Sequence, residues 1–158
     1  MGSVEPDEQQ LQSFLQDADD GTPVVMINLL RYRERAAYPD GFDAAPCTGR
    51  EAYQRYGAVV VGLVGKAGGR ILWTGDVQST LIAPAGERWD DAVLVEHPSA
   101  TAFIGMVSLP EYQAIVPHRT AALEDSRLIA TWVGVDPTGR GGRGPAPRRT
   151  TRQHERAP

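Results

Sequence analysis

The sequence predicts an α+β domain in which strand, helix, strand, strand, helix and strand follow one another, with one extra helix in front. Three observations carry that expectation. VVMINLLR, residues 24–31, is a nearly unbroken run of branched apolar side chains, short enough for a buried strand. Residues 49–64 and 101–116 space their apolar residues as helices do, and strand-like stretches at 70–84, 90–99 and 128–135 fill the remaining places. Two β-α-β halves in this order close into a ferredoxin-like, four-stranded antiparallel sheet with both helices on one face.

Each element has its own warrant. In residues 5–17, EPDEQQLQSFLQD, Leu11, Phe14 and Leu15 share a helical stripe, and Pro6 with its acidic neighbours suits a first turn. After the first strand, YRERAAYPDGFDAAPCT has no period and two prolines, and it is longer than most connections in compact domains; such loops are often lids. Thr48 then predicts an N-cap, with Glu51 completing a capping box, before a stripe of Ala52, Tyr53, Tyr56, Val60 and Leu63 or Val64. Gly68-Gly69 predicts a turn into an antiparallel pair, RILWTGDVQSTLIAP and DDAVLVEHPS, with a bulge at Gly75. A helical run from Ser99 or Thr101 restarts at Pro110, and LIATWVGV, after LEDS, is the last strand.

Alternation along the strands leaves both sheet faces apolar. Val24, Met26, Asn28 and Leu30 point one way and Val25, Ile27 and Leu29 the other; in the last strand Ile129, Val133 and Val135 oppose Leu128, Ala130 and Trp132. One helical layer covers one face. A second copy stacked sheet to sheet, an isologous homodimer, is the economical cover for the other.

Composition predicts a single domain over 1–136 and a disordered Gly/Pro/Arg-rich tail over 137–158. The body carries ten Lys+Arg against nineteen Asp+Glu, a net of −9, and the tail a net of +5. An acidic body argues against nucleic-acid binding, which needs a basic face. The tail is read as a solvated appendage in preference to an RNA or membrane tether. Cys47 is the sole cysteine, so no intramolecular disulfide forms, and it reads as an incidental thiol. No apolar run approaches a membrane span, and MGSVEPDEQQ is unlike a signal peptide, so a cytoplasmic protein is expected.

VVMINLLRYR, TGREAYQRYG, GGRILWTGDV, WDDAVLVEHPS and PEYQAIVPHRTAALEDSRLIAT together resemble the longer members of the family known as domain of unknown function 1330, of the dimeric α/β-barrel superfamily. The resemblance spans residues 23–133. It implies a ferredoxin-like protomer and a barrel formed across a dimer, without an agreed reaction. The superfamily includes cofactor-independent monooxygenases of polyketide quinones, muconolactone isomerase, polyketide cyclases, haem-degrading enzymes and stress-response proteins, so the fold alone selects no chemistry. His97 stands where the family has an aromatic residue, usually tyrosine, before Pro98-Ser99. If that position lines the pocket, the chemistry here differs.

For the site, Pro117 in SLPEYQAIVPHRTAALEDS is the first signal. Proline is tolerated in a first helical turn, so Pro117 predicts a new helical segment with His118 and Arg119 at its positive end. There the dipole favours a neutral imidazole, and free N–H groups with a guanidinium favour an anion. The bland alternative has His118 and Arg119 paired to Glu124 or Asp125. Asn28, polar within an apolar strand, needs partners from neighbours or from a ligand. Arg31, and Arg33 beyond it, lie at the mouth of the long loop, facing Tyr53 and Tyr56. Trp73, Trp89 and His97 complete the candidate substrate-binding set, with core or dimer packing as the plainer role for the tryptophans, Trp132 included. GKAGGR lacks the spacing of a phosphate loop, and His97, His118 and His154 lack that of a metal site.

The function expected from these residues is a cofactor-independent enzyme of secondary metabolism. It would perform acid–base isomerisation, cyclisation or elimination, or oxygenation, on a polyketide-like or aromatic acid. His118, Arg119 and Asn28 would be catalytic, and no metal is expected. The alternative is a non-catalytic ligand-binding or stress-related homodimer; a weaker one is a haem enzyme, because His118 resembles the axial ligand of haem-binding relatives.

Overall fold

In the computed structural model, residues 2–18 and 21–132 are described. The elements are α1 Glu8–Gln16, β1 Val24–Tyr32, α2 Gly49–Lys66, β2 Arg70–Asp76, β3 Asp91–His97, α3 Ala100–Val107, α4 Pro110–Ala122 and β4 Leu123–Trp132. The strands form one antiparallel sheet in the order β2-β3-β1-β4, which is the ferredoxin-like topology. Residues 133–158, and with them Val133, Val135, His154 and the expected tail, lie outside the described residues.

Register divides the sheet into rows. On the face under α2 and α4 run Ile71–Val95–Met26–Ala130, then Thr74–Val93–Asn28–Leu128, then Asp76–Asp91–Leu30–Ser126. The opposite, open face carries Trp73–Leu94–Ile27–Ile129 and Gly75–Ala92–Leu29–Arg127. Val24, Met26 and Leu30 on the helix face are at most 3% exposed, whereas Trp73 and Ile129 on the open face are 53% and 48% exposed. Two clusters fill the helix side. Leu30, Ala52, Ala122 and Leu123 pack at one end, and Leu63, Val64 and Met106 at the other. Asp7 caps α1 through Gln9 N and Gln10 N, and Thr48 and Glu51 form the expected capping box of α2.

Three expectations need correction. Pro117 does not start a helix: α4 continues through it. The ring removes one rung, to the Gln113 carbonyl, but tertiary bonds hold the last turns. His118 Nδ1 is 2.7 Å from Tyr38 Oη, and Arg119 donates to Val4 O at 2.7 Å and to Ser126 Oγ at 3.4 Å. The last strand begins earlier than residue 128: LEDS is already the start of β4, extended because Leu123 is core and Ser126 N donates to Ser3 O at 2.8 Å. The β2 irregularity falls between Ile71 and Trp73; Gly75 instead makes room for the Trp73 ring, which a Cβ there would strike.

Gly49 is the tightest junction. It is buried where α2 begins, and its N–H donates to Arg33 O at 3.1 Å. A Cβ there would meet the carbonyl oxygens of both Ala122 and Arg33, backbone atoms that yield little. Gly49→Ala is expected to lower the unfolding free energy by about 2 kcal/mol, measured by urea denaturation. Gly57→Ala, on the same helix but facing open space, is expected to raise it by about 0.5–1 kcal/mol.

Candidate functional site

The register row Asp76–Asp91–Leu30–Ser126 places two carboxylates opposite each other across β2 and β3. Like charges so placed destabilise a sheet unless a cation intervenes. Arg50, in the first turn of α2, supplies one: Nη1 lies 3.0 Å from Asp91 Oδ2 and 3.2 Å from Oδ1, and Nη2 lies 3.2 Å from Oδ1. Tyr32, the last residue of β1, donates its hydroxyl to Asp91 Oδ2 at 2.7 Å, and the Arg50 guanidinium lies 4.8 Å above its ring. These groups, with Tyr53, Thr74 and Asp76, wall a half-open cleft of about 440 Å³.

Tyrosines lead from the cleft inward. Tyr32 and Tyr53 have ring centroids 5.5 Å apart, Tyr53 and Tyr56 5.4 Å, and the Tyr56 hydroxyl donates to that of Tyr112 at 3.3 Å. Burial, then the bond to Asp91, raises Tyr32 far above the ordinary phenol range. Burial pushes Tyr53 up to about 12 against the opposing charge of Arg119, and raises Tyr56 further. At neutral pH all three are hydrogen-bond donors, not bases.

A family model described as a domain of unknown function, DUF1330, matches residues 44–132, which include Arg50, Tyr53, Asp76 and Asp91. The chain belongs to the DUF1330 family. Two crystal structures of RPA0582, a protein of unknown function from Rhodopseudomonas palustris, are 39% identical to it. One has a TM-score of 0.76 over 83% of this chain and 96% of that one, and the methylated form 0.78 over 86% and 97%. A hydroxynitrile lyase from Passiflora edulis overlaps at 12% identity with a TM-score of 0.49, over 72% of this chain and 95% of that one, a likeness too low to carry function. No curated protein matches the sequence.

In this DUF1330 chain the residues singled out from sequence are dispersed. Tyr53 lines the cleft, and Tyr56 is buried behind it. Asn28 lies one row away, with Nδ2 donating to Val93 O at 3.4 Å. Arg119 is 9% exposed and near enough to oppose the upward shifts of Tyr53 and Tyr56, but its guanidinium is bound to Val4 and Ser126. His118 lies under the long loop, edge-on to Tyr38 and Phe42, and does not line the cleft. It occupies the second half of α4, so the dipole argument fails. Its pKa is lowered by burial and by Arg55 instead. Arg31 pairs with Glu124 at 2.9 Å, at an angle unlike that of a hydrogen bond, and Trp73 lies on the open face. Trp89 is buried beneath Arg127, 5.0 Å from its ring. His97 is 2% exposed at the other end of the sheet, against Phe103, with Nδ1 unpartnered among the described residues.

Sequence reasoning passed over Tyr32, Arg50, Asp76 and Asp91. The signal was there: DDAVLVEHPS reads as a strand, and alternation from His97 back through Val95 and Val93 puts Asp91 on the helix face.

Burial alone lowers the pKa of His97. The unfolded chain therefore binds the proton more readily, and stability present above the ordinary histidine pKa of about 6.5 is lost as pH falls through the folded value. Thermal-unfolding midpoints are expected to drop between pH 7.5 and 5, and His97→Phe to flatten that drop in the same scan.

Proposed function

We propose that this protein binds a small, oxygen-rich organic molecule, polyketide-like or aromatic, in the Tyr32–Arg50–Asp91 cleft and transfers a proton on it, working as a homodimer joined through the open sheet face. The observation that carries the reading is the carboxylate of Asp91, oriented by a phenol and a guanidinium at the wall of an aromatic-lined cleft. In this scheme Asp91 takes a proton from the carbon beside a substrate carbonyl, and the C–H electron pair moves onto the carbonyl oxygen. The Tyr53 hydroxyl and Arg50 stabilise that oxyanion. Return of the proton at another carbon completes an isomerisation, and departure of a neighbouring leaving group completes an elimination. Tyr32 holds Asp91 in place. His118 takes no part.

The apolar open face supports the homodimer. Trp73, Leu94, Ile27 and Ile129 cross all four strands in one row, a surface of the kind that sheet-to-sheet packing buries.

The test is deuterium incorporation into ethyl acetoacetate and 2-hydroxyacetophenone in D2O, followed by proton NMR. The protein is expected to accelerate exchange, Asp91→Asn to reduce the enzymic rate roughly 100-fold and Tyr32→Phe roughly 10-fold. Probe binding without exchange would favour a ligand-binding protein, and exchange unaffected by Asp91→Asn would overturn the assignment.

A further inference from the structure

Leu81 and Ile82 are 91% and 98% exposed, the most exposed of the large hydrophobic side chains among the described residues. A scattered surface leucine needs no explanation, but these two are adjacent, and they lie in a stretch, residues 77–86 (VQSTLIAPAG), without a single charge. The loop has a defined base and return. Val77 N donates to Asp90 O at 2.8 Å, Glu87 N donates to Pro84 O at 3.1 Å, and Gly86, at φ +84°, makes a turn that side chains resist. Its descending limb is anchored by Trp89, which donates to Glu87 at 3.1 Å and is buried under Arg127. Arg127 belongs to the open face, in the row of Leu29 and Ala92. The limb therefore ties the loop to the apolar open face.

We propose that residues 77–90 are an arm that packs on a second copy of this chain, with Leu81 and Ile82 as its buried contacts. This rests on the homodimer reading. Charge identifies the occupant. Arg31, Arg70, Arg88 and Arg127 around the open face each pair with an acid, namely Glu124, Glu96, Asp90 and Asp125. The rim is thus balanced in a body of net charge −9. A basic partner would need an acidic rim and an anionic membrane a basic one. A balanced rim around an apolar centre suits a copy of itself, related by a twofold axis. Each protomer then contributes one arm, and the arm contact occurs twice in the dimer.

Sedimentation velocity of the full chain from 0.1 to 50 µM tests this. The wild type is expected to be dimeric. The double variant Leu81→Ser/Ile82→Ser is expected to dissociate at least 10-fold more readily, with its far-UV circular dichroism unchanged. Ile82→Thr alone is expected to move in the same direction, and it keeps the test usable if the double variant folds poorly. Thr80→Ser, a neighbour in the loop, is expected to leave dissociation unchanged. A wild-type dimer whose dissociation ignores the Leu81 and Ile82 variants would overturn the arm and leave the homodimer standing. A wild-type monomer throughout would overturn both. Co-sedimentation with phosphatidylcholine–phosphatidylserine vesicles, abolished by the double variant, would assign the arm to a membrane and overturn it too.

Discussion

The site depends on how one carboxylate is satisfied. Asp91 faces Asp76 across neighbouring strands, at the end of the sheet where Leu30 and Ser126 complete the row. Two such acids cannot share that row comfortably without compensation. Arg50 and Tyr32 provide it, and they come from opposite ends of one long connection. Several features then follow as requirements. The capping box at Thr48 and Glu51 starts α2 where Arg50 can reach, and Gly49 lets the helix approach the Arg33 and Ala122 carbonyls. The connection itself lies against α4. Arg33 N and Ala37 N donate to Ala122 O and Ala121 O at 2.9 Å, Tyr38 meets His118, and Arg55 donates to Tyr38 Oη at 3.3 Å and Ala45 O at 3.1 Å. None of its residues lines the cleft. It acts as a brace that fixes both ends, not as a cover.

The same sheet carries two unequal faces. One is closed by α2 and α4 over Val24, Met26 and Leu30, with the Asp76–Asp91 row toward one end and His97 at the other. The other bears Trp73, Leu94, Ile27 and Ile129 in partial contact with water. The cleft and the apolar open face are thereby separated. The cleft lies among tyrosines and a guanidinium beneath the helices, whereas the apolar row and its ion pairs lie on the far side. The β2–β3 connection leaves at Asp76 and returns at Asp91, both walls of the cleft.

Much of the fold was legible because periodicity is local. VVMINLLR, the capping box and the order of six elements all depend on residues within a turn or two of each other. The failures were tertiary. Pro117 reads as a break, yet α4 survives it because Arg119 and His118 are held by residues far away in sequence. LEDS, with two acids and a serine, falls outside the apolar run that marks the last strand, yet Ser3 pairs with Ser126 and the strand starts at Leu123. The site was less legible than the fold for the same reason. His118 and Arg119 attracted notice as adjacent polar residues, but helical geometry sends one to the loop and the other to Val4 and Ser126. The residues that do converge, at 32, 50, 76 and 91, are each unremarkable alone and meet only through strand register and the placement of α2. Tyr53 was the point of contact between the two readings.

At the heart of the cleft, the Tyr32 phenol is desolvated and spent on Asp91. Tyrosine-specific ¹³Cζ labelling with a pH titration by NMR tests it directly, since the chain has five tyrosines. The predicted result is that Tyr53 titrates near 12 while Tyr32 stays protonated beyond it, until the protein unfolds. A Tyr32 signal that titrates near the ordinary value of about 10 would contradict the account.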